Sequence, residues 1–144
     1  MAITAPNADR VSRDLEMRML LDNGVTVPMP CTLHFTLADP YAVSATFRSA
    51  RTSVTWVFAR ELLSSGLVRE AGEGDIHITP LQRTSGNVLR VELRSPDGRA
   101  VMEGPRAEID DFLRSTYDLL PGGLEWTYLN MDAALEQLLN DEMA

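Results

Sequence analysis

Period-two alternation of apolar and polar residues, recurring between turn signals, constrains this chain's fold more than any other feature. Leu15, Met17, Met19 and Leu21 fall on one side of a run that puts Glu16 and Arg18 on the other, as in a half-buried strand. Asp22-Asn23-Gly24 follows, and Asn-Gly tolerates the positive φ of a tight hairpin. Leu33, Phe35 and Leu37 repeat the pattern within 26–37. There Pro28 and Pro30 each lack a ladder donor and mark an edge or a bulge. Tyr41, Val43, Ala45 and Phe47 predict a third strand, and Val54, Trp56 and Phe58 a fourth. The period changes over 59–65, which predicts a short helix ended by Gly66 at the C′ position. Strands over 75–81, 88–95 and 99–103 follow, joined through Thr84-Ser85-Gly86-Asn87 and Ser95-Pro96-Asp97-Gly98. Consecutive strands with short links pair as hairpins, so the sheet is expected to be mainly antiparallel. Four strands before the helix and three after it suggest two similar β-rich halves.

Helical spacing takes over near the C-terminus. Gly104-Pro105 is expected to start a helix with Ile109, Phe112, Leu113, Thr116, Tyr117 and Leu120 on one face. Pro121-Gly122-Gly123 stops it, and Leu124–Leu129 reads as a short strand or an extended link. Asn130 is suited to cap a last helix over 131–143, whose Leu135, Leu138 and Leu139 form a narrow apolar stripe. The class is α+β. At 144 residues the size prior is one domain, 11–144, behind a mobile tail over 1–10. No apolar run approaches the roughly 20 residues of a spanning helix. The first ten residues lack the basic and apolar regions of a secretory signal, so the expected compartment is the cytoplasm.

Charge is unevenly placed. All 13 basic residues are arginine, which removes Schiff-base and other lysine chemistry. Residues 1–106 hold 12 acids and 12 arginines, so the whole net charge of −8 lies beyond them, where Arg114 is the lone cation. Such a segment repels phosphate backbones and anionic lipid headgroups. Glu108, Asp110, Asp111 and Glu136 are the candidate acidic docking surface, set against the plainer reading as solvated helix faces.

Catalytic signatures are missing: no nucleophile elbow, no phosphate-binding loop, no H-E-x-x-H and no dinucleotide fingerprint. His34 and His77 lie on the polar sides of predicted strands. Asp75-x-His77 offers two metal ligands and no third at a recognised spacing, so no metal, cofactor or catalytic set is expected. Cys31, the single cysteine, would need a neighbouring base to act as a nucleophile. A hydrolase built on Cys31 or His77 is therefore the weakest reading. Arg60 and Glu61 take an ordinary surface role on the short helix. Arg48, Arg51, Arg60, Arg69, Arg83, Arg90, Arg94 and Arg99 interleave with Tyr41, Phe47, Trp56 and Phe58, the composition of a single-strand stacking surface. Against that, the aromatics occupy inward-looking positions.

One tract is more particular than any of these. Thr36–Val43, Ala45-Thr46-Phe47 and Trp56–Arg60 resemble the SsgA-like family of actinobacterial sporulation and cell-division proteins. Weaker similarity continues through Gly66-Leu67, the Leu93–Gly98 turn and Pro121–Leu139, and the size is most like the SsgB branch. The motif residues Asp39, Pro40, Tyr41, Phe47, Trp56, Phe58 and Arg60 either define the fold or form a partner surface. The resemblance implies a non-enzymatic adaptor that helps position sporulation septa and recruits the tubulin-like protein FtsZ, working with an SsgA-type relative. It also implies a whirly-like subunit fold, a homotrimer, and cytoplasmic residence at the septum with membrane contact only through partners. The alternative is a single-stranded nucleic-acid-binding module of whirly-like fold, which the charge balance disfavours.

Overall fold

The computed structural model describes residues 9–128 and 131–143. Eight strands form: β1 (Arg10–Leu20), β2 (Thr26–Thr36), β3 (Ala42–Arg48), β4 (Ser53–Ala59), β5 (Ala71–Glu73), β6 (Ile76–Arg83), β7 (Gly86–Ser95) and β8 (Gly98–Pro105). Helix α1 (Arg60–Gly66) follows β4, α2 (Arg106–Leu119) follows β8, and α3 (Met131–Met143) comes last. All eight strands share one antiparallel sheet in the order β4-β3-β2-β1-β8-β7-β6-β5. The expected halves are thus two four-stranded meanders, each followed by a helix. They meet at a short seam where Arg18, Met19 and Leu20 of β1 face Glu103, Met102 and Val101 of β8.

The sheet is curled, and its concave face carries the core. Val11, Leu15, Cys31, Phe35, Val43, Phe47, Ile78, Leu89 and Leu93 are buried there beneath Leu62 and Leu63 of α1 and Ile109, Phe112 and Leu113 of α2. β1, β2, β3, β6, β7 and β8 bury alternate residues, as period-two patterning requires, whereas β4 and β5 at the two ends of the sheet bury none. The proline end of β2 is an edge as expected, because β3 pairs with β2 only from Cys31 to His34.

Four local expectations are corrected. β5 was not foreseen: it spans three residues, too short to show alternation. Pro105 does not start a helix but ends β8 opposite Val88, with α2 beginning at Arg106. The segment after α2 is neither strand nor extended link but a 3-10 turn over Glu125–Thr127. Gly66 is not a left-handed cap; it ends α1 where a Cβ would collide with the Ile78 side chain, so glycine allows α1 to lie on β6. At the N-terminus, Arg10 already pairs with Thr36. Residues 1–8 of the expected tail, and the Asn130 cap, lie outside the described residues.

Candidate functional site

The family tract turns out to build a buried hub. Asp39-Pro40-Tyr41 is the turn from β2 to β3: the Asp39 N–H donates to Thr36 O at 3.1 Å and the Ala42 N–H to Asp39 O at 3.3 Å. Pro40 is buried in it while Asp39 and Tyr41 are exposed. The Arg60 N–H donates to Tyr41 O at 2.7 Å, which ties the start of α1 to that turn. Phe47 is in the core; Trp56 and Phe58 are half-buried on the edge strand β4.

Arg60 corrects the surface role expected of it: it is 1% exposed. Its Nη1 donates to the carbonyls of Thr116 at 3.1 Å and Leu120 at 2.8 Å, and its Nη2 to Glu125 Oε2 at 3.0 Å. The guanidinium lies 4.8 Å from the Phe35 ring centroid and 4.0 Å from that of Tyr117, within cation–π range. A cation at the last carbonyls of α2 also complements the helix dipole. For Glu125, burial alone would raise its pKa. The N–H groups of Glu125 and Gly123 and the Arg60 pair outweigh it and hold the carboxyl below its ordinary value. One side chain thereby joins α1, the end of α2 and the turn beyond it. The sequence did carry a signal: Arg60, Leu63 and Leu67 share one helical face, and both leucines are buried.

Arg13 was not singled out in the sequence. It sits between Val11 and Leu15 on the inward side of β1 and is 5% exposed. Its Nη2 lies 3.2 Å from Glu108 Oε1 and its Nη1 3.8 Å from Asp111 Oδ2. Two of the candidate docking acids therefore serve to hold the first turns of α2 to the sheet. Asp110 pairs with Arg114 at 3.1 Å. Glu136 is exposed on α3. The structure brings three of the four acids together on α2 and leaves the fourth on another helix.

On the convex face, arginines meet carboxylates. Arg83 and Arg90 converge on Glu103, and Arg94 and Arg99 on Glu92. Hydrogen bonding from Arg94 lowers the Glu92 pKa. Arg48 donates to Thr32 Oγ1 at 2.7 Å, and that hydroxyl donates to Asp14 at 2.6 Å. Of the interleaved aromatics, Phe47, Trp56 and Phe58 belong to the concave side, while Tyr41 is exposed. Trp56 also shares a groove with Arg94 of β7 and Arg99 of β8, so the aromatics of a stacking surface are only partly withdrawn from the cations.

Reactive residues are also kept apart. Cys31 is buried, and burial, ahead of the opposing influence of Arg48, pushes its thiol up to about 12. His77 lies on β6, with β1, β8 and β7 between it and the strand of Cys31. No cluster of three metal-ligating side chains forms among the described residues. No helix there is long and apolar enough to cross a membrane.

The remaining feature is apolar and uncovered. Leu124, Trp126 and Tyr128 around the 3-10 turn are exposed, as are Leu135, Leu138 and Leu139 on α3, with Trp126 at 62% and Leu138 at 63%. Isolated apolar residues on a surface are ordinary; here six exposed ones fall within residues 124–139.

Similarity to known proteins agrees with the tract. The family model described as "Streptomyces sporulation and cell division protein, SsgA" matches residues 29–125. The sporulation-specific cell division protein SsgB of Frankia casuarinae is 39% identical over 132 residues, covering 91% of this chain and 92% of the relative. SsgB of Streptomyces coelicolor is 38% identical over 130 residues, covering 90% and 95%. The crystal structure of an SsgA-like sporulation-specific cell division protein from Thermobifida fusca superimposes with a TM-score of 0.83 at 33% identity, covering 95% of this chain and 98% of that one. With motif, fold and relatives in agreement over most of its length, the chain belongs to the SsgA family of sporulation and cell division proteins.

Proposed function

We propose that the protein is a non-enzymatic adaptor of sporulation-specific cell division, which helps position septa and recruits FtsZ to the division site together with an SsgA-type relative. The observation that carries this reading is its similarity, over about nine-tenths of both chains, to proteins named as sporulation-specific cell division protein SsgB. The chemistry supports it. The convex-face arginines pair with carboxylates, and the single thiol is kept protonated by burial. The two meander-plus-helix halves suit the whirly-like subunit that the resemblance implied. The exposed Leu124, Trp126, Tyr128, Leu135, Leu138 and Leu139 supply apolar side chains through which three copies would assemble. Placement at the septum then comes through partners.

Co-sedimentation with GTP-polymerised FtsZ of the same organism tests the adaptor role. Specific pelleting at physiological salt, with none in FtsZ-free controls, is the expected result; no pelleting at low or physiological salt would overturn direct recruitment. Light scattering after size exclusion tests the trimer. The mass of three chains is expected, and Leu138→Glu with Leu139→Glu is expected to reduce it to one. A monomeric parent protein would overturn the assembly.

A further inference from the structure

The two meanders leave one seam paired and another open. β1 and β8 close the seam between the halves. β4 and β5, which occupy the corresponding places at the other junction, are the two ends of the sheet and pair only with β3 and β6. A groove of about 440 Å³ lies between them, lined by Trp56, Phe58, Leu62, Ile76, Glu73 and Asp75. Because the Arg60 N–H donates to Tyr41 O, Arg60 and Tyr41 form a bonded pair. Alternation along the ladder then turns the backbone groups of Val54, Trp56 and Phe58 toward β3, and those of Ser53, Thr55, Val57 and Ala59 outward. Among the described residues no second strand takes the outward row.

We propose that this open seam is a docking site for an extended segment of a partner protein that alternates apolar and basic residues and adds to β4 as a strand. Free edge backbone supplies the affinity of strand addition. The aromatic and aliphatic lining accepts every second side chain of such a segment. Charge decides the rest of its chemistry. Glu73 and Asp75 rim the groove, and neither carboxylate takes part in an ion pair among the described residues. Glu61 adds a third acid on the adjoining turn of α1. A second copy of this chain brings its own net charge of −8 to that acidic rim, whereas a basic segment is complementary to it. The proposal deepens the adaptor reading and rests on it only for the existence of a partner.

The test uses no FtsZ, so its failure is separate from failure of recruitment. Trp126→Phe leaves Trp56 as the sole indole. Trp56 emission is followed during titration with three nine-residue peptides: one alternating valine with arginine and threonine, its glutamate-for-arginine counterpart, and the first with proline at its centre. The arginine peptide is expected to bind at least about tenfold more tightly than either of the others at about 0.1 M salt. Val57→Pro removes an outward donor while leaving the β3 ladder intact, and is expected to weaken binding about tenfold with an unchanged circular dichroism spectrum. Glu73→Arg with Asp75→Arg, which leaves the strand backbone alone, is expected to reverse the charge preference. Equal binding of arginine and glutamate peptides, no saturable binding, or indifference to the double reversal would overturn the proposal. So would a loss of self-association in Val57→Pro, because a second copy would then occupy the edge.

Discussion

The two faces of the sheet use the same residue type in opposite ways. On the convex face Arg83, Arg90, Arg94 and Arg99 meet Glu92 and Glu103 within reach of water. On the concave face Arg60 and Arg13 are enclosed among leucines and phenylalanines. Exposed pairs gain little, because water already solvates both partners. Buried arginines must recover lost solvation from fixed partners. The two buried ones do so unequally. Arg60 places its terminal nitrogens on two carbonyls and a carboxylate between two aromatic rings and leaves its Nε without a hydrogen-bond partner among the described residues, whereas both the Nε and the Nη1 of Arg13 lack one. Burial alone therefore does not identify a structural keystone; satisfaction of the buried group does.

Substitutions can break or sharpen that contrast. Arg60→Ala is expected to have the largest effect, about 3–5 kcal/mol, because it leaves Glu125 and the α2 carbonyls without their donor. Urea unfolding would measure it, and a loss below about 1 kcal/mol would remove Arg60 from its central place. Arg60→Lys should restore only a minor part, since an ammonium cannot reproduce the planar fork. Glu125→Gln should cost about 1–2 kcal/mol near neutral pH. Its effect has a predictable pH dependence. The folded-state Glu125 pKa is depressed from 4.5, so its contribution is present above that value and fades as pH falls through the folded one. Unfolding midpoints of the parent and Glu125→Gln should converge on acidification. Arg13→Leu is expected to stay within about 1 kcal/mol of the parent, since an apolar side chain can replace an incompletely satisfied buried pair. A loss as large as that of Arg60→Ala would erase the distinction between them. Arg94→Ala should change stability least, by about 0.5 kcal/mol or less, with the difference vanishing at high salt.

Much of the sheet was legible because period two and turn chemistry are local. Asn23-Gly24 and Asp97-Gly98 mark real hairpins, with φ of 83° at Gly24 and 149° at Gly98. Ile109, Phe112 and Leu113 marked the buried side of α2 correctly. What stayed hidden depends on sheet order. Alternation says which side Trp56 and Phe58 take, but only the position of β4 at an edge leaves them half-buried. Glu108 and Asp111 look like solvated acids until Arg13 is seen beneath them. Arg60 was read as a surface residue because arginine is usually exposed, and Arg13 was not singled out at all, although parity in β1 and helical spacing in α1 already placed both inward.

The narrow junction between the meanders also bears on how the chain finds its fold. Most of the strand pairings join neighbours in sequence and can zip as hairpins. Pairing Met19 with Met102 instead closes a loop of about 80 residues, whose entropic cost grows with the logarithm of its length. We expect closure of that junction, with the core contacts of Arg13 and Arg60 to α2 that accompany it, to be the slow step of folding. Weakening Met19 or Met102 should therefore lower the folding arm of the chevron, while equal damage at the outer hairpins raises the unfolding arm.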